Sequence, residues 1–424
     1  MLPTASTLAG GLRLITVPLP STAAVTLLVL VGAGSRYESA RERGIAHFLE
    51  HMFFKGGERF ASPKAVSEAI DGIGGDFNAF TGKEYAGYYV KCASAQAETG
   101  FSVLSDILLQ TKLAPEDIER EKGVILEELN MYQDTPIYQI GWDFEHLLYG
   151  DTPMGFDQIG TPQTIRSFTR EDFLRYREAM YTAANTVVIV AGDTTPETAR
   201  ALTERYFALS AGTPERTATP HPGFSPGPRA RLRQKKTEQN HLVIGFPGYP
   251  FGHDDELAAR LLAIILGGGM SSRLFTEIRE QRGLCYSIST STDHYSDSGI
   301  LSTHLGVDPQ RTTEAVAAIL EEYRRIAKDG PTAAEVDKAK RYLQGKLTLR
   351  MEDSEEVASY YGVQAILADQ LRSLEELFAQ IEAISQADVA RIAAECLQPS
   401  RCYLAGIGNF SNEQETEIHA LLPA

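Results

Sequence analysis

The chain has 424 residues, too many for one hydrophobic core of ordinary size, so two or more domains are expected. Its 43% hydrophobic and 23% charged content are those of a globular protein. The formal net charge of −16 excludes a nucleic-acid binder that works by neutralising phosphates, and fits basic or neutral partners as well as plain solubility.

The chain opens on Met1-Leu2-Pro3-Thr4-Ala5-Ser6, with no basic segment leading into an apolar one, so no secretory signal is expected. Strand-like runs follow at 12–19 and 23–31. The longest apolar run, Ala23 to Ala33, is too short to span a bilayer and reads as a buried strand. These features predict a cytoplasmic protein without membrane insertion. Cys92, Cys285, Cys396 and Cys402 form no CxxC pair and fit buried thiols in a reducing compartment.

Ile45, Phe48, Leu49, Met52 and Phe53 recur at i, i+3, i+4, i+7 and i+8, the apolar stripe of a helix. His47, Glu50 and His51 fall on the opposite face. Two histidines four apart sit one turn above each other and can reach one metal ion, with Glu50 placed to polarise a metal-bound water. The plain alternative is an amphipathic helix that happens to expose these side chains. A third ligand is needed, and the helical stretch from Glu116 to Tyr132 supplies candidates. Glu121 and Glu128 lie seven apart on one face, while Glu127 is rotated about 100° away. Glu128 is expected as the ligand, and Glu121 as the carboxylate that orients a histidine ring.

Residues 211–228 are rich in Pro, Thr and Gly, including Pro214, Pro220, Pro222, Pro226 and Pro228, and read as an extended linker. The expected domains are thus 1–210 and 229–424. They look like diverged copies: each opens on strands (in the second half at 230–234 and 241–246), passes through helices and closes on an apolar strand, at 186–191 and 402–407. The fold class expected is α+β, with an antiparallel-dominated sheet in each domain and helices packed on one face. The run Leu266 to Phe275 is expected at the place of the metal helix, without His or Glu.

His47-Phe48-Leu49-Glu50-His51-Met52, Gly74-Gly75-Asp76-Phe77-Asn78-Ala79-Phe80-Thr81 and Val124-Ile125-Leu126-Glu127-Glu128 together resemble the family of pitrilysin, insulin-degrading enzyme and the mitochondrial processing peptidases. The interval from His51 to Glu128 also matches that family. The resemblance implies a zinc metalloendopeptidase holding one Zn²⁺ per chain on His47, His51 and Glu128, with Glu50 as base and Glu121 as auxiliary carboxylate. It implies that Asn78, Ala79 and Phe80 lie on an edge strand where an extended peptide adds itself as a further strand. It also implies that Arg279 and Tyr286, seven apart, bind and polarise substrate, with Arg282 the competing arginine. The chain has the length of the family's shorter members, which pair two chains into a chamber, so a homodimer with shared sites acting on peptides or unfolded, presequence-like segments is expected. A non-catalytic structural or substrate-holding homologue is the alternative from another class.

Overall fold

The computed structural model describes residues 2–215, 217–221, 223–224, 229–368 and 370–422. Of the linker, Pro222, Pro226 and Pro228 lie outside the described residues. Among the described residues, no helix is long and apolar enough to cross a membrane.

The first half of the sequence supplies strands β1 (Thr4–Thr7), β2 (Arg13–Pro18), β3 (Ala24–Val31), β4 (Asp76–Thr81), β5 (Ala86–Ala93) and β6 (Thr186–Gly192). Its helices are α1 (Ile45–Phe53), α2 (Pro63–Asp71), α3 (Ala97–Leu109), α4 (Pro115–Asp134), α5 (Pro136–Tyr149), α6 (Pro162–Ser167), α7 (Arg170–Met180) and α8 (Pro196–Tyr206). The second half supplies β7 (Ala230–Gln234), β8 (Asn240–Pro247), β9 (Cys285–His294), β10 (Gly299–Val307) and β11 (Tyr403–Gly408). With them come α9 (Glu256–Gly267), α10 (Thr312–Asp329), α11 (Ala333–Arg350), α12 (Ser354–Leu367), α13 (Leu374–Ala383), α14 (Gln386–Cys396) and α15 (Asn412–Leu421).

The strands form two sheets, ordered β1-β2-β6-β3-β5-β4 and β7-β11-β8-β10-β9. From β2 onward the two orders correspond strand for strand. Each sheet has one parallel pairing, β2 with β6 and β7 with β11, and is otherwise antiparallel. The two homologous α+β domains expected from the sequence are therefore present, but the first sheet carries helices on both faces, α12 on one and α1 on the other, where one covered face was expected. Between β8 and β9 the place of α1 is taken by α9, not by the run from Leu266 to Phe275, which is the end of α9, the turn after it and the start of the next helical segment.

The compact units do not coincide with the contiguous halves 1–210 and 229–424. One comprises Met1–Leu129, Phe156–Thr219 and Thr348–Leu374; the other comprises Asn130–Gly155, Pro220–Leu347 and Glu375–Ala424. Each half therefore contributes one sheet-covering helix to the other half's sheet. In the first unit, Val357, Ala358, Tyr361 and Ala365 of α12 pack on Leu28, Leu30, Val187 and Ile189. Polar contacts seat the same helix: Thr26 and Ser354 share a hydroxyl hydrogen bond of 2.8 Å, and Lys91 pairs with Asp353 at 2.5 Å. Gly362 permits this approach, since a Cβ there would lie 2.8 Å from Leu30 Cδ1. In the second unit, Ile140, Phe144, Leu147 and Leu148 of α5 pack on Val243, Ile300, Ala405 and Ile407. Arg233 grips Asp143 of α5 through Nε and Nη2, at 2.7 and 2.5 Å.

This covering explains why β3 is apolar apart from Thr26. It lies inside the sheet, with Leu28 and Leu30 beneath α12. Leu27 and Val29 pair with Val90 and Tyr88 on the other face, where Tyr88 stacks edge-on against Phe53 of α1 at 5.3 Å. All five residues of the apolar stripe in α1 are fully buried.

Candidate metal centre

Helix α1 starts at Gly44, whose φ of +91° suits glycine, and is capped from outside by Glu38. Glu38 Oε2 accepts the Gly44 N–H at 2.8 Å, and Oε1 accepts the Ala46 N–H at 2.9 Å. Burial pushes the Glu38 carboxyl up to about 7, against the two backbone bonds that favour its charge. An acid whose pKa is raised in the folded state stabilises most below its ordinary pKa of 4.5. That contribution is lost as pH rises from there to about 7. Gln at position 38 keeps one acceptor and starts lower, by about 1–3 kcal/mol for the bond lost. It removes the pH dependence, so the melting temperature of Glu38→Gln, measured against wild type across pH 4.5–7, is expected to gain steadily as pH rises and level off above. A constant difference would exclude Glu38 as the titrating cap.

From α1, His47 and His51 meet Glu128 of α4. His47 Nε2 lies 3.7 Å from Glu128 Oε1, and His51 Nε2 lies 3.3 Å from Glu128 Oε2. One donor atom from each of the three residues falls within 4.8 Å of the others, and no other such group of three or more His, Cys, Asp or Glu occurs among the described residues. Ligands about 2.1 Å from a tetrahedral zinc ion stand about 3.4 Å apart, so these separations fit such an ion. Glu121, two turns before Glu128, accepts from His51 Nδ1 at 2.9 Å, which turns the Nε2 edge of the ring toward Glu128. His47 Nδ1 is buried without a hydrogen-bond partner among the described residues.

The two rings differ electrostatically. Burial, with the neighbouring His51, depresses His47 to about 4, so its 3.7 Å approach to Glu128 is a contact of a neutral ring and not an ion pair. Burial also opposes the charge of His51, but Glu121 and Glu128 outweigh it and raise this histidine to about 9. A proton on His51 Nε2, which faces Glu128, would compete with a cation held there. Glu121 and Glu128 are held below the usual carboxylate range by His51, with Lys55 and His47 respectively, against the opposing effect of burial.

Glu50 lies beside this cluster, and its Oε2 accepts the Thr81 hydroxyl at 2.5 Å. Burial raises its pKa, and the Thr81 bond opposes that rise. The run containing Thr81 is visible in the sequence, but its bond to Glu50 is not. Strand β4 is the edge of its sheet, as expected. Its side chains alternate: Ala79 and Thr81 share the face toward α1, while Asn78 and Phe80 turn to the opposite face. The Ala79 N–H is taken by Asn78 Oδ1 at 2.9 Å.

In the other unit, Arg279 lies in a π-helical turn, Phe275–Gln281, and Tyr286 follows in β9. The structure brings this pair together: the Arg279 guanidinium lies 4.5 Å from the Phe275 ring centre and 5.4 Å from that of Tyr286. Tyr286 is 78% exposed. Both arginines have a carboxylate neighbour: Arg279 lies 3.4 Å from Glu280, and Arg282, the competing arginine, 2.9 Å from Glu277.

Two α+β domains of one topology, one of them carrying a His-His-Glu cluster with a second glutamate beside it, define the class. Residues 13–147 match the pattern of the Insulinase (Peptidase family M16) domain, and residues 167–343 that of the Peptidase M16 inactive domain. An uncharacterized zinc protease of Mycobacterium leprae is 34% identical over 414 residues, 96% of this chain and 92% of that protein. The chain belongs to the insulinase family, peptidase family M16. Among solved structures, a protease from Helicobacter pylori superposes with a TM-score of 0.89 at 24% identity, covering 96% of this chain and 99% of that one. A chain of complex III2 from Candida albicans shares the fold at a TM-score of 0.82 and 17% identity, covering 98% and 99%.

Proposed function

We propose that this chain is a zinc-dependent endopeptidase that hydrolyses peptides or unfolded, presequence-like segments. The observation that carries the reading is the convergence of His47 Nε2, His51 Nε2 and the Glu128 carboxylate at the spacing of zinc ligands, with Glu50 alongside. Relatives named zinc proteases at similar length support it. The pattern named for an inactive domain matches 167–343, which contains none of the three cluster residues.

Zn²⁺ on these three residues supplies a Lewis acid and lowers the pKa of a coordinated water toward neutrality. The chain's own groups do the rest. Thr81 fixes one oxygen of Glu50 and leaves the other to take a proton from the attacking water and return it to the departing amine. Glu121 holds the His51 ring in the tautomer that leaves Nε2 free to ligate. An extended substrate adds along the β4 edge, where it replaces the Asn78 side chain as partner of the Ala79 N–H. Main-chain recognition of this kind suits varied sequences. Arg279 and Tyr286, supplied by a second copy of the chain in a closed chamber, bind the substrate carbonyl and its oxyanion.

The test is cleavage of a diverse peptide mixture, read by mass spectrometry, together with metal analysis of the purified protein. Expected are about one zinc per chain, cuts abolished by a chelator, and recovery on adding Zn²⁺. A zinc-free protein that cuts nothing would instead favour a structural or substrate-holding homologue.

A further inference from the structure

Helix α1 ends at Phe53, and Phe54 continues in helical geometry as its C-cap. The Lys55 N–H then bonds Met52 O at 3.1 Å. Lys55 therefore stands one turn beyond His51, and the two side chains reach the same carboxylate from α4. Glu121 Oε1 accepts from His51 Nδ1 at 2.9 Å, while Oε2 meets Lys55 Nζ at 2.5 Å. The Glu121 side chain is only 4% exposed and Lys55 is about three-quarters covered. An exposed Lys–Glu pair contributes little, because water and salt screen it and both chains lose freedom. This pair differs, since a buried carboxylate oxygen left without a partner is costly and the carboxyl would turn to find another.

We propose that Lys55 is a positioning residue of the metal site: by holding Glu121 Oε2, it fixes the carboxyl whose other oxygen orients the ligand ring of His51. Lys55 contacts Glu121, and Glu121 contacts His51, so its proposed effect on the ion runs through those two side chains. This inference rests on the reading of His47, His51 and Glu128 as zinc ligands. Outer groups that orient a metal-bound histidine typically account for about 10–100-fold in affinity. Removing Lys55 leaves Glu121 in place but loose, so the lower end is expected.

The experiment is competition for Zn²⁺ between the full-length protein and a chromophoric chelator, with the melting temperature of the metal-free protein as the control for folding. Lys55→Met is expected to bind Zn²⁺ about tenfold more weakly, with a lowered metal-free melting temperature but a cooperative unfolding transition that shows the fold is kept. Lys55→Arg, which keeps a cation on a long stem, is expected to recover most of the loss. Glu121→Gln and the double variant Lys55→Met/Glu121→Gln complete a cycle, and the double variant should lose no more than Glu121→Gln alone. Unchanged affinity in Lys55→Met, or losses that add in the double variant, would overturn the role of Lys55. Should Lys55→Met fold poorly, the comparison of Lys55→Arg with Lys55→Gln decides the same point: equal losses in both overturn it. A wild-type protein that takes up no Zn²⁺ removes the metal-site reading and this proposal together, an outcome distinct from the others.

Discussion

Glu50→Gln is expected to bind zinc and peptide as the wild type does and to lose about 10²–10⁴-fold in kcat, the range for removing a positioned general base. Gln matches Glu in shape and its amide oxygen can still accept from Thr81, so the contact that positions the side chain survives. What is lost is the group that takes a proton in forming the transition state. An interaction made only there lowers kcat and kcat/KM together and leaves KM alone. The pH profile supplies an independent readout. In the wild type, activity should fall as pH drops through the pKa that Glu50 has in the zinc-loaded enzyme, where the carboxylate becomes protonated and can no longer act as a base. Residual activity in Glu50→Gln should lack that acid limb. Full activity in a zinc-loaded Glu50→Gln protein would place the base elsewhere.

The second large effect is expected at Glu128. Glu128→Gln exchanges an anionic ligand for a weak neutral one, so the loss of zinc affinity should exceed the about 10–100-fold typical of outer groups. It should take activity with it. The same substitution has a signature in the metal-free protein. Glu128 helps hold the proton on His51, which is raised to about 9. Removing that carboxylate should move the His51 titration downward, as followed by NMR of the ring. In the wild type, zinc must displace this proton, so apparent affinity should climb as pH rises toward about 9. Near neutrality, about one proton should appear for each zinc taken up. An unmoved His51 in Glu128→Gln would show that the carboxylate is not its partner in solution.

Helix α1 and its polar face were legible because helical spacing alone puts His47, Glu50 and His51 on one face and the apolar stripe on the other. Glu121 and Glu128 were legible as a pair because seven residues make two turns. The alternation of β4 separates Asn78 and Phe80 from Ala79, and this follows only from the register with β5. What stayed hidden are contacts that join separate elements. The Thr81–Glu50 bond spans 31 positions, and the Glu38 cap reaches forward across the turn before α1. The units were hidden for a different reason. An amphipathic pattern shows that α5 and α12 have an apolar face, but not which sheet that face covers. Reading along the chain assigned each helix to its own half, and the packing assigns it to the other.

That exchange bears on how the protein is made. During synthesis the first sheet has all its strands once β6 has emerged, yet its outer apolar face stays bare until α12 arrives more than 150 residues later. At about 5–20 residues per second this is an interval on the order of ten seconds or more. Contacts of such long sequence separation also favour slow folding. A nascent chain in that interval presents Leu28, Leu30, Val187 and Ile189 to the cell, so it is expected to need chaperone shelter. Cutting the gene at the Pro-rich linker would leave each product with a sheet missing its cover and a helix missing its sheet.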